Sequence, residues 1–186
     1  MNATQQQRAL QGIFQASQQL AAAAQAFAGG NGGIPTIPAL YLDFLPEELR
    51  GAPRDFFTFG VDFLTIAAAG ASATESFTVP SDSDFLIVAL SGTEVDPADE
   101  GTAIARTPFT IAITDSGSGR QLQNRAQAYA NVVGTGQLPS YLPFPKFIDR
   151  SSQVSTTIVN NDPTQAARIR LSFLGFKIFD MMRGGR

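Results

Sequence analysis

The densest run of residues able to do chemistry is Glu94-Val95-Asp96-Pro97-Ala98-Asp99-Glu100. Calcium takes several oxygen ligands from a flexible loop of this kind. The spacing matches no established calcium loop, however, and Gly101 merely ends the run, so a solvated acidic loop is the plainer reading. Asp82 and Asp84 flank Ser83, which suits turn hydrogen bonding better than a metal. Paired carboxylates also serve glycoside hydrolysis. Sugar-cleaving sites usually add aromatic platforms, yet the chain has no tryptophan, and its 15 phenylalanines fall mostly at inward strand positions. Gly117-Ser118-Gly119 reads as a hairpin turn, since neither a Gly-x-Ser-x-Gly elbow nor a P-loop is present.

Two absences narrow the chemistry further. The chain lacks histidine and cysteine. That excludes serine–histidine catalysis, imidazole metal sites, thiolate zinc, cysteine nucleophiles and disulfides. Carboxylate, lysine or tyrosine chemistry stays open, but no residue pattern calls for it, so a non-enzymatic protein without catalytic residues, metal or cofactor is expected. The net charge is -3, with 16% charged residues and no polybasic run, so direct nucleic-acid binding has no electrostatic footprint. Lys146 and Lys177 are the only lysines; arginine, favoured over lysine in protein interfaces, supplies the other basic charges. The glutamine-rich start argues against a signal peptide, and no apolar stretch is long enough to span a membrane.

The elements that would position any site divide the chain into four parts. Residues 1–28 predict an N-terminal α-helical arm ended by Gly29-Gly30. Leu10, Ile13, Ser17, Leu20, Ala24 and Phe27 alternate three- and four-residue steps, Phe14 widens the stripe, and glutamines fill the other face. So thin a stripe should pack on a partner or a copy of itself; packing on its own chain is the alternative. Residues 29–54 form a Gly/Pro-rich connector. Its Ile37, Leu40, Tyr41 and Phe44 suit an arm lying along a neighbour, or a loop covering the chain's own edge. Pro46 to Arg50 predicts one helical turn.

From residue 55 to 180 the hydrophobic period becomes 2. Phe57, Phe59, Val61 and Phe63 predict a half-buried strand, Phe85 to Leu90 a central one, and Phe109, Ile111 and Ile113 another. Asp115 to Gly119 predicts a hairpin turn into Gln121 to Gln123. Weaker strands are expected at Tyr129 to Val133 and Val154 to Asn160. Arg168 to Phe179 closes the series, with a bulge at Gly175 where the phase slips. About seven to nine strands follow, and the fold class is mainly β: an antiparallel β-sandwich, jelly-roll-like, with an immunoglobulin-like sandwich as competitor. Between the strands, Gly134 to Ile148 is stiffened by Pro139, Pro143 and Pro145 and carries Tyr141, Phe144 and Phe147. It suits either packing on its own sheet or an assembly contact. Arg168 and Arg170 face away from Ile169 and Leu171, available to acids on a neighbour. Residues 181–186 read as a flexible basic tail.

The strand series from Phe57 to Val88, the hairpin Thr114-Asp115-Ser116-Gly117-Ser118-Gly119-Arg120-Gln121-Leu122, the segment Leu142-Pro143-Phe144-Pro145 and the closing Arg168 to Lys177 together resemble small virion structural proteins of tailed bacteriophages, of the jelly-roll cement or decoration type. The resemblance covers about residues 56–180 and leaves out the arm and connector. It implies a dimer or trimer made in the host cytoplasm and bound on the capsid exterior, clamping the major capsid protein or other virion proteins. Tail, neck and fibre-base proteins use similar sandwiches. A receptor- or glycan-binding virion module is a second reading, and a carboxylate or calcium-dependent hydrolase a third.

Overall fold

The computed structural model describes residues 41, 44–106 and 108–179. The arm, the connector up to Leu40 and the tail lie outside the described residues. The described residues form ten strands: β1 (Arg54–Ile66), β2 (Ala71–Thr78), β3 (Asp84–Asp96), β4 (Asp99–Ala103), β5 (Phe109–Asp115), β6 (Arg120–Gln121), β7 (Gln127–Ala128), β8 (Ser140–Ile148), β9 (Gln153–Asn160) and β10 (Ala167–Ile178). They form two antiparallel sheets. One runs β1-β10-β3, with β4 and β8 both pairing β3; the other runs β2-β9-β5, with β6 and β7 both pairing β5. The mainly β, sandwich-like architecture expected from the period-2 pattern is therefore present.

The pairing is nested. β1 pairs the last strand, β10; β2 pairs β9; β3 pairs β8; and β5 makes the central hairpin with β6. The chain thus behaves as one long hairpin folded across two sheets. Alternation along the strands supplies the core between them. Val61, Phe63, Phe85, Ile87, Ile169, Leu171 and Phe173 come from the first sheet; Phe77, Phe109, Ile111, Ile113, Val154 and Ile158 come from the second. Phe59 sits over Phe77, with ring centroids 4.4 Å apart, and meets Phe85 edge-on at 4.8 Å.

β3 is buried along nearly its whole length, as its unbroken apolar run predicts. The register of β3 with β10 slips between Leu174 and Gly175. The irregularity falls at the glycine, but the extra residue is Val88 on the partner strand. Gly175 is needed for close approach: a Cβ there would lie 2.1 Å from the Leu86 carbonyl oxygen. On both sides of the slip the inner positions stay inward, Phe85 and Ile87 before it and Leu90 after.

One expected strand is a correction. Tyr129–Val132 is a short helix, α1, with the Val133 N–H donating to the Tyr129 carbonyl at 2.9 Å. Tyr129 and Val133 are both buried. Their four-residue separation puts them on one side of a strand or of a helical turn alike, so so short a window cannot separate the two periods.

The described part of the connector packs on its own chain. A 3-10 turn at Glu47–Leu49 follows Pro46, and Leu45, Leu49 and Tyr41 are each 3% exposed. Across the outer face of the first sheet, Phe56, Phe176, Leu86 and Phe147 lie in one row of paired positions. Leu86 and Phe176 are buried although they face away from the sandwich core. The covering segment reaches this sheet at three points: the Phe44 ring meets Phe144 on β8, the Tyr41 phenol lies near that of Tyr141, and the Phe179 N–H donates to the Pro53 carbonyl. The compact unit holding the sandwich accordingly begins at Ala39.

Candidate functional site

β8 is an edge strand of the first sheet, and its sequence explains why. Pro143 and Pro145 have no N–H to give to a ladder, so they are tolerated only at an edge. The pairing with β3 is interrupted there, passing from Lys146 opposite Ile87 to Tyr141 opposite Ala89. The unpaired stretch carries Phe144 outward, 72% exposed, and Leu138 just before the strand is 78% exposed. Phe44 stands edge-to-face with Phe144, ring centroids 5.9 Å apart at 71°. Two aromatic rings held by proline-stiffened backbone form an apolar patch that loses little freedom on contact.

The residues expected to make interfaces separate into three groups. Phe44 and Phe144 come together at the surface. Tyr141 and Phe147 are half-buried on the outer face of the sheet, and Tyr41 is buried within the chain and offers no exposed surface. Burial pushes the Tyr41 phenol up, and the neighbouring Tyr141 adds to the rise. Leu10, Ile13, Phe14, Leu20, Phe27, Ile37 and Leu40 lie outside the described residues.

The acidic loop does not gather its carboxylates around one point. Among the described residues no group of three or more acidic side chains comes together to hold a metal ion. Instead, arginines of the same chain take the charges. Glu94 is buried and lies 3.0 Å from Arg106 Nε, while Arg106 Nη2 donates to the carbonyls of Val133 and Gly134, both at 2.9 Å. The same guanidinium stacks 5.1 Å from the Tyr129 ring centre. Burial pushes the Tyr129 phenol up, and the Glu94 carboxylate adds to it. Its oxygen occupies the space a side chain at Gly92 would need. Asp96 and Asp99 accept backbone N–H groups within their own turns.

Glu100 pairs with both Arg168 and Arg170, and Asp62 accepts from Arg168 at 2.8 Å. The two arginines offered above to a neighbour's acids therefore already have partners within the chain. They make a charged strip on the outer face of the sheet, six residues along β10 from the apolar row at Phe176.

Asp84 was the least legible residue. It is buried, not part of an open turn. Its Oδ1 accepts from the Arg150 backbone N–H at 2.8 Å and from Nε at 3.1 Å, and its Oδ2 accepts from Nη2 at 2.9 Å. The only sequence signal was its position directly before the apolar run of β3.

No family model matches the chain, and no curated protein is similar to it. No helix among the described residues is long and apolar enough to cross a membrane.

Proposed function

We propose that this chain is a virion structural protein that binds the assembled capsid and stabilises it as a cement or decoration protein. Two features support the reading. The nested strand order, with β1-β10-β3-β8 facing β2-β9-β5-β6, fits a jelly roll, an architecture used by viral capsid proteins and lectins. The observation that carries the assembly part is the exposed Phe44–Phe144 patch on β8, beside the point where the chain enters the sandwich. A protein that binds only the assembled shell stabilises it by mass action. The partners are the major capsid protein or another virion protein on the capsid exterior, and a second or third copy of this chain.

The sandwich defines where to cut. Tyr41 and Leu45 are integral to the sheet's outer cover, so the test removes residues 1–38 and leaves the compact unit from Ala39 onward. That truncation is expected to melt as the whole chain does, yet to co-sediment poorly with assembled capsids. Phe44→Ala with Phe144→Ala should weaken capsid binding further. Full decoration by both variants would refute the proposal. Co-sedimentation with tails instead of capsids would place the same chain at the neck, tail or fibre base. The aromatic pair also favours one other reading, a glycan- or receptor-binding module, which saturable glycan binding abolished by Phe144→Ala would select.

A further inference from the structure

A cavity of about 430 Å3 opens between the two sheets beside β8 and β6. Ile87, Leu90 and Phe173 line it from the first sheet, Ile113 from the second, and Leu142 from the interrupted part of β8. Its size falls within the roughly 300–1,000 Å3 of small-molecule sites, and its walls are mainly apolar, as such sites are. Three polar side chains border it: Lys146, Gln121 and Gln123.

Lys146 is the unusual one. It pairs with Ile87, an inner position of β3, and its neighbours Phe147 and Ile148 alternate accordingly, with Ile148 in the core. Its side chain is therefore on the inner face, and it lines the cavity. No carboxylate pairs with it among the described residues, and no acidic side chain lines the cavity. Gln123 accepts the Ile113 N–H with its Oε1 at 2.9 Å, which turns its amide nitrogen into an available donor. An inward lysine at an edge strand also discourages strand addition, but that role requires neither the cavity nor the glutamine donors.

We propose that this cavity binds a single-chain aliphatic carboxylate, with the hydrocarbon between the sheets and the carboxylate at Lys146. The apolar walls exclude a compact polar ligand, and the unpaired ammonium selects an anionic end over a neutral one. Phe144 of the aromatic pair also borders the cavity, but carboxylate binding at Lys146 does not depend on the virion reading.

The test is calorimetric titration of the full chain with decanoate, octanoate and 1-decanol. Decanoate is expected to bind saturably at one site per chain and about tenfold tighter than 1-decanol, the size of one charge-assisted hydrogen bond. Octanoate should bind more weakly by about fourfold for each methylene lost. Lys146→Gln should remove the preference for decanoate and leave 1-decanol unchanged, whereas Lys146→Arg should keep it. Leu142→Trp, which fills the cavity, should weaken both ligands. The proposal is overturned if wild-type protein shows no saturable decanoate binding or does not prefer decanoate to 1-decanol. It is equally overturned if Leu142→Trp binds both ligands as well as wild type.

Discussion

Replacing Gly175 by alanine tests the closest approach of a glycine to neighbouring backbone among the described residues. The added Cβ would lie 2.1 Å from the Leu86 carbonyl oxygen, 2.9 Å from its carbonyl carbon and 2.8 Å from the tip of the Phe85 ring. Gly175 does not have a positive φ, so the cost is steric and not conformational. Two of the three atoms are backbone of β3, which is held by β10 on one side and β8 on the other. Leu86 is fully buried and cannot swing aside. Overpacking a tight core costs about 1–3 kcal/mol, and a clash with paired backbone belongs at the upper end, about 3 kcal/mol. For a chain of this length that lowers Tm by roughly 6–12 °C. Gly60→Ala is the control, because a Cβ at Gly60 meets nothing within 4 Å. In urea titrations followed by far-UV circular dichroism, Gly175→Ala should shift the midpoint strongly and Gly60→Ala hardly at all. Equal stability of the two variants would refute the close approach, and with it the register slip at Leu174/Gly175.

The ion pair of Asp84 and Arg150 predicts an asymmetry. Asp84 has 3% of its side chain exposed and Arg150 has 22%. Arg150→Ala leaves a buried carboxylate without its counter-charge, keeping only the backbone N–H of residue 150, and should cost about 5 kcal/mol, whereas Asp84→Ala leaves an arginine that can reach water and should cost about 3 kcal/mol; equal losses in chemical denaturation would contradict this. The hydrogen bonds from Arg168 hold the Asp62 carboxyl below the usual carboxylate range. A carboxyl lowered by folding contributes stability above its unfolded value, about 3.9, and loses it as the pH falls through its lower folded value. Asp62→Asn should therefore flatten the acid limb of the stability–pH profile below about pH 4, and 0.5 M salt should shrink the difference because the site is exposed; an unchanged acid limb would refute the assignment.

Much of the fold was legible because the strands obey a period of 2. Phe109, Ile111 and Ile113 are buried while Thr110, Ala112 and Thr114 are half-exposed, as alternation requires. The continuous run from Phe85 to Leu90 also read correctly as a central strand. The reason it is apolar on both faces was not legible, because the cover comes from residues some forty positions earlier. Long-range pairings failed in the same way. Nothing local in Asp84 names Arg150, and nothing in Glu100 names Arg168 or Arg170. The α1 segment failed for the opposite reason: it is too short for its period to show. Of the surface candidates, Phe44 and Phe144 stood out as apolar residues among prolines, but their contact depends on how the connector returns over β8.

That return bears directly on assembly. An apolar connector can lie on a neighbour or on its own sheet, and the sequence does not distinguish the two. At Tyr41 and from Phe44 onward the connector packs on its own chain. Tyr41, Leu45 and Leu49 are buried within the chain rather than reaching outward. Their apolar weight therefore no longer argues for a partner. The charged strip of Asp62, Glu100, Arg168 and Arg170 is likewise satisfied within the chain, and exposed pairs of this kind contribute only about 0–1 kcal/mol each. Among the described residues, the exposed large apolar side chains form two groups: Leu138, Phe144 and Phe44 around β8, and Phe56, Phe57 and Leu64 on β1 at the opposite edge. A partner that orders itself on this protein should find β8 first, because stiff, preformed aromatic surface there costs the least freedom to bury.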